Sequence, residues 1–140
     1  ILVCLVGSEM CIRDSTNDTR ESPAIEISKN LLENGAHLSI SDPKVTNKQI
    51  ENELSLKELE EDPSSKGKWN FDKDIYKAAK NADAIIIVTE WKEYENLNWK
   101  EISSLMRKPA WVFDTRKILS KKDLKKLGIN YWQVGSSNYP

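Results

Sequence analysis

The residues whose types could do chemistry are few, and they cluster in three polar stretches: Asp18-Thr19-Arg20-Glu21, Thr89-Glu90-Trp91 and Asp114-Thr115-Arg116. A guanidinium fork stays charged and matches phosphate oxygens bidentately, so Arg20 and Arg116 brought to one edge would make an anion site. The plainer reading pairs each arginine with an acid beside it, Arg20 with Asp18 or Glu21 and Arg116 with Asp114. Trp91 sits in a polar turn where it could stack on a ring or line an interface, although core or interface packing explains it as well. His37 alternates with apolar neighbours and is expected on the outward face of a strand, as an exposed or hydrogen-bonded surface residue. Cys4 and Cys11 have no second Cys/His pair at metal spacing, so no metal centre or disulfide framework is expected. The five glycines, at positions 7, 35, 67, 128 and 135, form neither a Gly-x-Gly-x-x-Gly fingerprint nor a Walker loop. A self-sufficient NAD or ATP site is therefore not expected. Neither a serine elbow nor a cysteine in a catalytic setting is present, so no catalytic residue is assigned.

The elements that must position these stretches follow from periodicity. The apolar run Ala84 to Val88 shows no alternation and carries three isoleucines and a valine, the pattern of a strand covered on both faces. Leu2 to Val6 can form an edge or first strand. Ser22-Pro23 begins a helix whose apolar stripe is Ala24, Ile25, Ile27, Leu31 and Leu32, and Gly35 is its left-handed stop. Ala36 to Ser41 alternates as a second strand ending at Asp42-Pro43. Thr46-Asn47-Lys48-Gln49 has capping-box spacing, with Ile50 and Leu54 inward and Leu56 and Leu59 as a possible extension. Glu60 to Lys68 is charged and reads as an exposed, mobile loop. Trp69 to Phe71 is a short strand, and Asp72 or Asp74 starts a helix with Ile75, Ala78 and Ala79 inward. Asn98 caps a helix striped by Trp99, Ile102, Leu105 and Met106, which Lys108-Pro109 stops. Ala110 to Phe113 is another buried strand, Ser120 caps a short helix ending at Gly128, and Ile129 to Val134 is the last strand. Trp99 and Trp111 fall in apolar patterns and are assigned to the core.

Strands and helices alternate from end to end. The expected fold class is α/β: a Rossmann-like, doubly wound and mainly parallel sheet of five or six strands with helices on both faces. In such sheets ligands bind beyond the carboxyl ends of the strands, so Arg20, Thr89-Glu90-Trp91 and Arg116 are expected to gather at one edge. At 140 residues there is room for one domain and not for a dinucleotide domain plus a substrate domain. The balance of 21 basic and 22 acidic residues gives no reason to expect nucleic acid or an anionic membrane surface as a partner. No apolar run approaches the roughly 20 residues of a bilayer span, which reads as a soluble chain.

Five motifs in order and at matching spacing resemble the UDP-glucose/GDP-mannose dehydrogenase family, in the C-terminal domain of its UDP-glucose dehydrogenases. They are Thr16-Asn17-Asp18-Thr19-Arg20-Glu21-Ser22-Pro23, Gly35-Ala36, Asp42-Pro43-Lys44-Val45, Ala82-Asp83-Ala84 running into Thr89-Glu90-Trp91, and Lys108 to Arg116. The resemblance covers about Thr16 to Gly135. It implies a UDP-binding domain over 16–135, a tail at 136–140, and an enzyme that oxidises UDP-glucose twice to UDP-glucuronate with two NAD molecules and a catalytic cysteine. The NAD-binding domain, the connecting helix and that cysteine would all precede residue 1, leaving this chain inactive alone. By position in their motifs, Arg20 is similar to the arginine that reaches across the cleft to NAD, and Arg116 to the arginine that contacts the UDP-sugar. A cytoplasmic homo-oligomer is implied for the full-length protein.

One departure concerns the leader. Residues 1–15, with Ser8-Glu9-Met10-Cys11-Ile12-Arg13-Asp14-Ser15, resemble translated sequencing-adapter tails and are expected to be non-native. The family's Phe-Lys pair, whose lysine grips UDP, would fall at Ile12 and Arg13, so no binding role is carried onto Arg13. The competing reading is a stand-alone flavodoxin-like or receiver-like module. A receiver needs an acidic cluster, for which Asp18 and Asp42 would serve, and a lysine after a late strand, whose pattern is missing.

Overall fold

Short β-branched segments separated by capped helices build one six-stranded sheet. The computed structural model describes residues 2–6, 23–88, 94 and 96–135. The strands are β1 Leu2–Val6, β2 His37–Ser41, β3 Lys68–Phe71, β4 Ala84–Ile87, β5 Trp111–Asp114 and β6 Asn130–Gln133. They lie in the order β3-β2-β1-β4-β5-β6, and every pairing is parallel. The doubly wound expectation is therefore met. β1 occupies the centre of the sheet between β2 and β4, a more demanding place than an edge.

The helices form where their caps are written. α1 Pro23–Glu33 ends in a Schellman motif: the amide of Ala36 donates to Leu31 O at 3.0 Å, that of Gly35 to Leu32 O at 3.0 Å, and Gly35 takes φ 81°. α2 Asn47–Leu54 carries the capping box, with the Gln49 amide on Thr46 Oγ1 and the Thr46 amide on Gln49 Oε1. α3 Ile75–Ala79 is capped by Asp74, α4 Trp99–Leu105 by Asn98, and α5 Lys121–Lys126 by Ser120. The expected extension of α2 through Leu56 and Leu59 does not occur. Ser55 turns left-handed at φ 56°, and Leu59 is left 64% exposed.

Two cores sandwich the sheet. α1 and α2 pack with Leu38, Ile40, Trp69 and Val88, while α3, α4 and α5 pack with Ile85, Ile87 and Val112 on the other face. The first of these cores takes no residue from β5 or β6 among those described. By register, Trp111 and Phe113 of β5 and Trp132 of β6 lie on the same face as Ile86, which packs partly against that core, and all are half-buried. This face of β4 is therefore not closed over as its unbroken apolar run predicts. The rings of Trp111 and Phe113 stack at 5.8 Å, with Trp132 tilted 6.2 Å from Phe113. The assignment of Trp111 to the closed core is corrected accordingly. Trp99 also lies half-buried at the rim of the second core, and among the described residues the fully buried tryptophan is Trp69, whose Nε1 donates to Leu56 O at 2.8 Å.

The 60–68 segment is likewise more ordered than its composition suggests. Asp62 gathers the amides of Ser64 and Ser65 and the Ser64 hydroxyl, Ser65 Oγ donates to the Leu32 carbonyl, and Gly67 is buried against α1.

Candidate functional site

The strand order reverses between β1 and β4, so the carboxyl edge there is the crevice in which doubly wound sheets take ligands. Arg116 is delivered to this edge from the neighbouring strand. β5 ends at Asp114, and the chain turns back over the end of β4: the Thr115 amide and hydroxyl both donate to Ile87 O, at 3.2 and 2.6 Å. The Arg116 Nε then donates to Val88 O at 3.1 Å, which fixes the plane of the guanidinium beside the end of β4. Of the expected grouping, the structure brings Arg116 together with the end of the β4 segment. Arg20, Thr89, Glu90 and Trp91 lie outside the described residues.

Asp114 was expected in a polar turn, as an ion-pair partner of Arg116 in the plainer reading. Instead it is fully buried and organises the loop. Its Oδ1 accepts the Arg116 amide at 3.0 Å, and its Oδ2 accepts the Leu119 amide at 2.9 Å and the Tyr131 hydroxyl at 2.7 Å. Burial, reinforced by the Asp114 carboxylate, pushes the Tyr131 phenol well above its ordinary pKa, so the hydroxyl remains a donor. Lys117 follows at φ 59°, a left-handed conformation that the closed loop imposes on a non-glycine residue. Sequence reasoning missed this role because Asp114 sits at a strand end where burial and solvent exposure read alike. The one available signal was Tyr131, at a position where the opposite face of β6 meets the core.

His37 opens β2 at the amino edge, away from this site. Its Nε2 is buried without a hydrogen-bond partner, contrary to the surface expectation, and burial followed by the nearby Lys68 charge holds its pKa below the ordinary value. A small hollow of about 210 Å³ lies between α4 and α5, lined by Trp99, Leu119, Ser120, Asp123 and Leu127 among others.

Comparison with solved structures places the fold first. Apo D-mandelate dehydrogenase from Rhodotorula graminis superposes with a TM-score of 0.59 over 99% of this chain and 36% of its own, at 12% identity. The architecture is thus Rossmann-like. The family follows from sequence: the model of the UDP-glucose/GDP-mannose dehydrogenase family, UDP binding domain, matches residues 10–121, and the chain belongs to that family. Similar curated proteins are UDP-glucose 6-dehydrogenase 2 of Arabidopsis thaliana, 39% identical over 88% of this chain, and UDP-glucose 6-dehydrogenase of Caenorhabditis elegans, 39% identical over 89%. The corresponding protein of Drosophila melanogaster is 40% identical over 88%. The chain spans 28%, 26% and 26% of the lengths of these relatives, so it matches about a quarter of each.

Proposed function

We propose that this chain is the nucleotide-sugar-binding domain of an NAD-dependent UDP-glucose 6-dehydrogenase, with β1 at the centre of the domain's sheet and Arg116 as its principal contact to the diphosphate of UDP-glucose. The observation that carries the reading is the placement of Arg116, within the matched region, at the carboxyl edge beside the switch point, with Nε on Val88 O. A guanidinium so oriented is suited to charge-assisted bonds with phosphate oxygens. The reaction assigned to the full-length protein is the two-step oxidation of UDP-glucose to UDP-glucuronate. NAD supplies the hydride acceptor when bound.

The described residues do not fit NAD as a resident group. Gly35, Gly67, Gly128 and Gly135 lie at the end of α1, before β3, at the end of α5 and after β6. Among the described residues none of these turns leads from a strand's carboxyl end into a helix, where a pyrophosphate would be cradled. We therefore assign NAD mainly to the rest of the protein, with Arg20 directed toward it, and the catalytic cysteine likewise. The chain alone is inactive in this reading, and the whole protein is a cytoplasmic homo-oligomer. Among the described residues no helix is long and apolar enough to cross a membrane.

The test is calorimetric titration of UDP and NAD into the full-length protein. Arg116→Ala is expected to weaken UDP by about one to two decades, the equivalent of roughly 1.5–3 kcal/mol for one charge-assisted hydrogen bond. Arg116→Lys keeps the charge and loses the fork, and recovers only part of that. Arg20→Ala weakens NAD and leaves UDP nearly unchanged. Unaltered UDP affinity in a folded Arg116→Ala protein would refute the assignment.

A further inference from the structure

Asp42 and Asp114 are the two buried carboxylates among the described residues. Asp42 receives a local amide, that of Lys44 at 2.6 Å, whereas Asp114 draws donors from two separate elements. Two of these are the amides of Arg116 and Leu119, in the loop that Asp114 itself begins. The third is the Tyr131 hydroxyl, which reaches across from β6 and also lies 3.2 Å from Leu119 O. A carboxylate taken from water needs several good donors, and each is then held in turn by a strong, short bond.

The Arg116 residue is consequently fastened at two points. Its backbone amide is held by Asp114, and its Nε by the carbonyl of Val88 at the end of β4. An arginine held at its backbone amide and its Nε gives up less rotamer freedom when its fork closes on a diphosphate than one on a loose loop. We propose that Asp114 and Tyr131 are positioning residues for nucleotide binding: Tyr131 pins Asp114, and Asp114 pins the loop that aims Arg116 at the diphosphate. This rests on the assignment of Arg116 to UDP-sugar binding. Neither residue touches the ligand. The hydroxyl of Tyr131 is the informative handle, because Tyr131→Phe removes one bond and keeps the ring's packing against the second core.

The experiment is a double-mutant cycle on UDP affinity in the full-length protein, with UDP as the probe and thermal midpoints recorded for each variant. Tyr131→Phe is expected to weaken UDP by about threefold to tenfold, the span that one hydrogen bond's net worth allows. In the Arg116→Ala background the same substitution should have no further effect, because the residue being aimed is gone. Asp114→Asn, if it folds, should weaken UDP more than Tyr131→Phe and show the same dependence on Arg116. A lower thermal midpoint with unchanged UDP affinity, or equal losses in both backgrounds, means a merely structural role and overturns the proposal. If Arg116→Ala weakens UDP while Tyr131→Phe does not, the positioning inference alone falls. If Arg116→Ala leaves UDP affinity intact, both it and the nucleotide-sugar assignment fall.

Discussion

Two loops of this domain are built on the same device and differ in where it is set. In the loop before β3, Asp62 accepts the amides of Ser64 and Ser65 at 2.8 and 3.1 Å and the Ser64 hydroxyl at 2.7 Å. In the loop after β5, Asp114 accepts two amides and the Tyr131 hydroxyl over nearly the same distances. Every partner of the Asp62 carboxylate lies within three residues of it, at the surface, whereas Asp114 is fully buried and one of its carboxylate's partners comes from another strand. Water can replace the donors of Asp62 and cannot replace those of Asp114. The same three bonds therefore shape a turn in one place and lock a loop to the sheet in the other.

The sharpest way to break this comparison is to remove each carboxylate. Asp114→Ala leaves the amides of Arg116 and Leu119 and the Tyr131 hydroxyl facing a cavity, and is expected to cost about 2–4 kcal/mol of unfolding free energy. Chemical denaturation of the chain measures it. A loss no larger than that of Asp62→Ala would mean that burial of the carboxylate is not what distinguishes the two loops.

How much of this was legible in the sequence varied with the range of the interaction. Thr46-x-x-Gln49, Asn98, Ser120 and Gly35 announced their helix ends because capping is settled within four residues. The unbroken Ala84 to Val88 run announced a strand but not that its Ala84 and Ile86 face stays half-buried, and Arg116 could be placed at the carboxyl edge by counting from its strand. What could not be read depended on partners far along the chain. The depth of Trp69 is set by α1 and α2 closing over it, and the half-exposure of Trp111 by their stopping short of β5. Asp114 looked like a turn residue because Tyr131, seventeen positions later, is what completes its shell. The charged composition of 60–68 hid the anchoring of Ser65 and Gly67 on the end of α1, and the central place of β1 likewise depends on two distant strands.

A smaller effect is expected at Gly67, where the Asp62 loop meets α1. An added Cβ would press on the backbone of Leu32 in the last turn of α1, and backbone cannot swing aside as a side-chain tip does. Gly67→Ala should destabilise by about 1–3 kcal/mol, typical of overpacking. Gly67 carries no positive φ, unlike Gly128 at φ 76° with open space around its Cβ, so its loss reports the contact with Leu32 and not left-handed strain. A Gly67→Ala loss within about 0.5 kcal/mol, the range of an ordinary surface substitution, would show that the loop lifts freely from α1, and the contrast between the loops would then sharpen further.

The smallest expected effect is the pH dependence of Asp62. Its hydrogen bonds, first to the Ser64 hydroxyl and then to the Ser64 and Ser65 amides, hold its carboxyl below the ordinary aspartate value. The charged form is thus favoured in the folded chain relative to the unfolded one. Its contribution is complete above the unfolded carboxyl pKa of about 3.9 and is lost as pH falls through the lower folded value. Thermal midpoints of the wild type and Asp62→Ala, followed from neutral pH into acid, should differ by a constant small amount and then converge. The difference should be reduced by added salt very little, since the partners are dipoles and not opposing charges. A gap that stays constant through the acid range would show that the bonds survive protonation, and the turn would then owe its shape to the side chain's hydrogen bonds and not to its charge.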